Sequence, residues 1–130
     1  MEPDEGTARR RILLTGAAGR IGRAFFRFAH DRYRFRLADR VAIAAEETHA
    51  GPHEAILLDI AELAACQRAC EQIDTVVHLA ADANPAAEFY DSLLDNNIKG
   101  TYNIFRAARD QGCQRVIFAS SAWVMGGYAR

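Results

Sequence analysis

Apolar and polar positions along this 130-residue chain follow two alternating rhythms. Short apolar runs of strand length recur at Ile12–Thr15, Phe35–Asp39, Ala55–Leu58, Thr75–Leu79 and Arg115–Ala119. Helical spacing fills most of the intervals. A helix from about Arg20 to His30 places Ile21, Ala24, Phe25, Phe28 and Ala29 on one face. Val41–His53 is a connection with room for a short helix, closed by Gly51-Pro52. Asp59 followed by Glu62 resembles a capping box opening the next helix, whose stripe is Leu63, Cys66, Cys70 and Ile73. From Ala86 to Gln111, apolar residues at Phe89, Leu93, Leu94, Ile98, Ile104, Phe105 and Ala108 read as one long helix stopped by Gly112.

Thr75–Leu79 is apolar enough to be buried on both faces, as a central parallel strand should be. Strands alternating with helices predict an α/β fold, a doubly wound parallel sheet of five strands in order 3-2-1-4-5. Ligands are expected at the carboxyl ends of strands one and four, where that order reverses. Residues 1–10 read as a disordered leader, and residues 11–130 as one domain large enough for a real core.

Half of the residues are hydrophobic and a quarter charged, with a formal net charge of −1. This balance suits an ordinary globular domain and gives no electrostatic reason to expect nucleic acid or an anionic membrane as partner. The clustered Arg9-Arg10-Arg11 reads as solvated charge at the start of a strand. Cys66, Cys70 and Cys113 form no C-x-x-C pair and have no histidine at metal-ligand spacing, so they read as reduced thiols with no metal. The polar start lacks the apolar core of a signal peptide, and no apolar run approaches the roughly 20 residues of a membrane span. A cytoplasmic location is expected. His78, inside the fourth strand, reads as a core histidine.

The candidate chemistry sits where the topology puts a site. Gly16, Gly19 and Gly22 follow the first strand at spacing G-x-x-G-x-x-G and lead into a helix. Gly16 permits the turn, Gly19 lets backbone approach a pyrophosphate, and Gly22 lets helix and strand pack closely. Asp39 ends the second strand, where a carboxylate accepts hydrogen bonds from an adenosine ribose and repels a 2′-phosphate. NAD is therefore expected over NADP, a preference tempered by Arg40. Asp59 serves either as a helix cap or in holding an adenine amino group, and Ser120-Ser121 either closes the fifth strand or serves the site. Arg23 stands after Gly22 in place of Lys-Ser/Thr, so magnesium and γ-phosphate chemistry of the P-loop kind has no residues to carry it.

These features in order, from residue 11 to about 127, resemble the extended short-chain dehydrogenase/reductase family, the NAD-dependent epimerases and dehydratases of sugars. The resemblance rests on Thr15–Gly22, Asp39, Asp59 and His78-Leu79-Ala80-Ala81. It extends through Asn97-Ile98-Lys99-Gly100-Thr101, Phe118-Ala119-Ser120-Ser121 and Val124-x-Gly126. Leu37-Ala38-Asp39 and Phe118–Ser121 look most like the uronate dehydrogenases. The resemblance implies a Rossmann-type fold in which Gly16, Gly19 and Gly22, with Arg20 and Ile21, hold the pyrophosphate of NAD. It also implies Asp39 on the adenosine ribose, Asp59 and Ile60 at the adenine edge, and Leu79, Ala80 and Ala81 along the nicotinamide-side ribose. Asn97 would brace the fourth strand, Gly100 would allow close approach, and Ser121 would be the active-site serine.

The family's acid/base is a tyrosine with a lysine four residues on. Lys99 is the only lysine in this chain, and Asp95 stands four residues before it. The expectation is therefore the cofactor-binding N-terminal portion of a sugar dehydrogenase or epimerase, with its C-terminal part missing and no turnover alone. The full-length protein would act on a sugar-type substrate and form a homodimer through helix 86–111. A non-catalytic dinucleotide-sensing or partner-binding module is the alternative.

Overall fold

A computed structural model describes residues 9–49, 51–122 and 125–126. The expected leader therefore lies outside the described residues as far as residue 8, and so does Val124.

Five parallel strands form one sheet: β1 (Arg11–Thr15), β2 (Arg34–Asp39), β3 (Glu54–Leu57), β4 (Thr75–His78) and β5 (Arg115–Phe118). Their order is β3-β2-β1-β4-β5, as the alternation of elements predicts. Boundaries shift by a residue, leaving Leu58, Leu79 and Ala119 in the loops that follow β3, β4 and β5. β1 lies at the centre and feeds both layers of the core. Leu13 joins Val76, Cys66, Cys70, Ile104 and Ala107 on one side, whereas Ile12 and Leu14 join Phe26, Phe35, Leu37 and Val77 on the other. All four residues of β4 are buried, which agrees with its unbroken apolar character.

Helix α1 (Arg20–Ala29) covers one face of the sheet. Its buried residues are Gly22, Phe26 and Ala29, with Phe25 half-buried, whereas Ile21 and Phe28 are each 71% exposed and Ala24 is exposed. The expected face is thus corrected by about one residue. The cause is Gly22: a Cβ there would lie 2.2 Å from the carbonyl oxygen of Gly16, so this position must face the turn. Helical geometry then carries Phe26 and Ala29 inward, and Phe26 meets Phe35 edge-on at 5.2 Å.

Helices α2 (Leu63–Ala69) and α3 (Gly100–Asp110) pack side by side on the other face. The capping box is not formed. Glu62 occupies the N-cap of α2 without a side-chain bond, and the Asp59 carboxylate instead accepts the N–H of Ala61 in a turn before the helix. A short 3₁₀ turn, Ala45–Thr48, occupies the connection after β2.

The long helix differs in its winding. Asn84 takes the N–H groups of Ala86 and Ala87 into a local turn, so helix begins only at Phe89. Phe89–Lys99 is π-helical, with Leu93 N–H donating to Glu88 and Gly100 N–H to Asp95. Lys99 and Gly100 both have right-handed helical angles, so this stretch runs into α3 without a break.

Candidate functional site

A cleft of about 160 Å³ opens at the carboxyl ends of β1, β2 and β4, where the strand order reverses. Gly16 makes the turn that borders it. Its φ of +71° suits glycine, and a Cβ would come within 2.8 Å of the Ala80 nitrogen, so the turn can approach the loop after β4. Gly19 lines the cleft and caps α1 through its backbone, without a side-chain hydrogen bond. The first turn of α1 holds no acid but carries Arg20 and Arg23. Arg23 reaches the Glu47 carboxylate at 3.6 Å, whereas Arg20 adds positive charge at the positive end of the helix dipole, an arrangement that an anion there would relieve.

Asp39 stands across the cleft from the loop after β4. One carboxylate oxygen accepts the N–H of Ala18 at 3.0 Å and the other that of Val41 at 3.3 Å. The residue expected to meet a ligand is therefore also a strut of the glycine turn. Arg40 beside it reaches Asn96 at 3.5 Å, linking the end of β2 to the π-helical stretch.

The wall after β4 is held from two directions. Below it, the Thr15 hydroxyl accepts the N–H groups of Leu79 at 3.1 Å and Ala80 at 3.2 Å. It also hydrogen-bonds Nδ1 of His78 at 2.6 Å. With both amides as donors, the hydroxyl gives its own proton to Nδ1, which leaves the imidazole proton on Nε2. Burial pushes the His78 pKa down to about 4, and its ring stacks on Phe118 at 5.9 Å. This is a core histidine, as the sequence indicates. Above the wall, Asn97 clamps Asp82 by accepting its N–H at 2.8 Å and donating to its carbonyl at 2.9 Å. The Ser92 hydroxyl donates to the Asp82 carboxylate, and with the Asn84 N–H it holds that carboxyl below its usual range.

Of the residues singled out in the sequence, Gly16, Gly19, Asp39, Ile60, Leu79, Ala80 and Ala81 line one cleft. Arg20, Ile21 and Gly22 lie just beyond it in the first turn of α1, where Gly22 packs inward and Ile21 points to solvent. Asp59 is turned into its local loop, and Asn97 stands behind the wall as a support. Gly100 packs on Ile60, whose Cδ1 would be 2.5 Å from a Cβ there. Ser121 is exposed beyond the end of β5, outside the cleft lining. Thr15, Ala38, Leu58, Arg40 and Asn96 complete the cleft. Thr15 was legible as the last residue of a strand and the first of the glycine motif, but not as the anchor of the wall after β4, although a hydroxyl ending an apolar run directly before a glycine turn was the available signal. No group of three or more potential metal ligands occurs among the described residues.

The sequence profile described as the NAD dependent epimerase/dehydratase family matches residues 12–130. An NAD-dependent glucose-6-phosphate dehydrogenase of Haloferax volcanii is 39% identical over 119 residues, covering 90% of this chain and 45% of the relative. A uronate dehydrogenase of Pseudomonas putida is 36% identical over 124 residues, with 91% and 43% covered. Among solved structures, a mutant of the Agrobacterium tumefaciens uronate dehydrogenase complexed with NAD superposes with a TM-score of 0.74 at 36% identity. That match covers 88% of this chain and 42% of the other. The chain thus spans less than half the length of these relatives.

Proposed function

Because the chain belongs to the NAD dependent epimerase/dehydratase family, we propose that it is the NAD-binding portion of an oxidoreductase or epimerase that acts on a sugar, uronic acid or sugar nucleotide by hydride transfer. The observation that carries this reading is one cleft walled by the glycine turn, by Asp39 and by Leu79–Ala81. Its parts suit the parts of a dinucleotide in order. The pyrophosphate meets the start of α1, whose first turn holds no acid and where Arg20 forms no ion pair among the described residues. The adenosine ribose meets Asp39, and the adenine lies along Leu58 and Ile60 with Asp59 at its edge. The other ribose follows Leu79, Ala80 and Ala81; Thr15 holds the N–H groups of the first two, and Asn97 holds the next residue, Asp82.

NAD, when bound, supplies a nicotinamide ring that accepts or returns hydride. This chain's residues orient it, and Ser121 hydrogen-bonds the reacting hydroxyl or carbonyl of the sugar. Lys99 is paired at 3.1 Å with Asp95, and no tyrosine stands four residues before it. Residues 1–130 alone are accordingly proposed to bind without turnover. The full-length protein is cytoplasmic and dimerises through the 86–111 segment, where Phe89, Tyr90, Ile98, Tyr102 and Phe105 are exposed.

Calorimetric titration with NAD and NADP tests the cofactor assignment. Asp39→Asn keeps an acceptor for Ala18 while removing the charge, so it should narrow the preference for NAD. Asp39→Ala also frees the turn and should weaken both cofactors further. Equal binding of NAD and NADP to the unaltered chain, or NAD binding indifferent to both substitutions, would refute the assignment.

A further inference from the structure

Two cysteines meet at the end of the sheet opposite the cleft. Helices α2 and α3 lie side by side, and each returns through a short turn into one of two neighbouring strands, β4 and β5. Each turn contains a left-handed residue, Gln72 at φ +59° and Gly112 at φ +73°. The turns touch through a backbone hydrogen bond from Gln114 to Asp74 at 2.8 Å. Arg36 fixes the first of them by donating to the carbonyls of Ala69 at 2.6 Å and Glu71 at 2.9 Å. Cys70 ends α2 and Cys113 follows Gly112, so the topology brings these residues together although they are far apart in sequence.

The Cys113 Sγ–H donates to the carbonyl of Cys70 at 3.7 Å, and the two thiol groups are close enough to influence each other's ionisation. Their surroundings differ. Cys70 is fully buried, whereas Cys113 is partly open to solvent. Cys66, one helical turn before Cys70, is engaged elsewhere, donating to the Ile60 carbonyl at 3.5 Å.

We propose that Cys113 and Cys70 form a peroxide-responsive thiol pair, with Cys113 reacting first and Cys70 resolving it to a disulfide. Sharing a proton with its neighbour lowers the Cys113 pKa and raises that of Cys70, and burial raises that of Cys66 to about 11. The thiolate is the nucleophile, so this asymmetry assigns the first step to Cys113. Hydrogen peroxide is the oxidant because it is small and uncharged enough to reach a half-covered thiol. The Cys113 sulfur attacks one peroxide oxygen; an S–O bond forms, the O–O bond breaks, and the leaving hydroxide takes the thiol proton to become water. The Cys70 sulfur then attacks the sulfenic acid of Cys113; an S–S bond forms, the S–O bond breaks, and the departing hydroxide leaves as water with the Cys70 proton. Two electrons pass from the thiol pair to one peroxide, giving two waters. The product would tie the end of α2 to the start of β5 without touching the cleft.

The test is peptide mapping without reduction, after brief peroxide treatment of the 130-residue chain and alkylation in denaturant. The expected result is a linked pair of peptides containing Cys70 and Cys113, two hydrogen atoms lighter than their sum, with Cys66 alkylated. In Cys70→Ser, oxidation should stop at a sulfenic acid on Cys113 that dimedone captures, and in Cys113→Ser, Cys70 should stay reduced. A disulfide involving Cys66, oxidised Cys113 beside freely alkylated Cys70, or three unreacted thiols would each overturn the proposal. The map of the unaltered chain decides the matter even if a variant misfolds.

Discussion

Thr15 and Thr75 lie on adjacent strands and are both buried, at 1% and 3% exposure, yet only the replacement of Thr15 with valine should destabilise the fold. The Thr15 hydroxyl makes three hydrogen bonds, one to His78 and two from the amides of Leu79 and Ala80. Valine matches its shape and makes none of them. Leu79 N–H retains the Thr15 carbonyl at 3.3 Å, so the groups left wanting are Nδ1 of His78 and the N–H of Ala80. An unsatisfied buried polar group costs about 1–3 kcal/mol, so Thr15→Val, which leaves two, should cost about 2–6 kcal/mol. That is a large part of the roughly 5–15 kcal/mol that holds a domain folded. The Thr75 hydroxyl, by contrast, has no partner among the described residues. Its removal should be neutral or stabilise by about 1 kcal/mol. Equilibrium urea unfolding followed by circular dichroism, with matched m values, would measure both. If Thr15→Val costs less than about 1 kcal/mol, or Thr75→Val costs as much as Thr15→Val, the hydrogen-bond assignment at the base of the cleft is wrong.

His78 makes stability depend on pH. Its pKa falls from 6.5 to about 4 on folding, so the unfolded chain takes up the proton first as the medium is acidified. The contribution is complete above pH 6.5 and is lost as the pH drops towards about 4, a total of about 3 kcal/mol. NMR titration of the imidazoles should find His78 still neutral at pH 5, and a midpoint near 6.5 would contradict this. Gly22→Ala should be far more damaging than Gly112→Ala. A Cβ at position 22 meets backbone at 2.2 Å, whereas one at position 112 meets nothing within 4 Å and adds only the strain of φ +73°. About 2–3 kcal/mol against about 1 kcal/mol is expected, and thermal melts ranking the two the other way would refute this.

The strands and their order were readable because short apolar runs separated by helical spacing leave a doubly wound sheet as the natural packing. The placing of Gly16, Gly19 and Asp39 at one cleft was readable because each follows directly from a strand end or the turn after it. The buried face of α1 was not, because its rotation is set by the contact of Gly22 with the Gly16 carbonyl, which apolar spacing does not register. The late start and wide winding of 89–99 were equally hidden. They depend on how Asn84 turns the chain and on how Ser92 and Asn97 seize Asp82. The gathering of His30, His49 and His53 around Phe26 joins residues from three separate segments and left no local pattern to read.

The grip of Asp39 on Ala18 also bears on how such a cleft can change over generations. On the proposed reading of Asp39, a lineage moving from one dinucleotide to its phosphorylated counterpart would first dispense with this carboxylate. In doing so it would slacken the loop that any dinucleotide needs. Intermediates carrying a small neutral residue at position 39 would bind both cofactors poorly until a second substitution restored an acceptor for the Ala18 amide. Passage through asparagine, which keeps that acceptor, is the smoother route, so on the proposed reading the mechanics of the turn decide which substitution comes first.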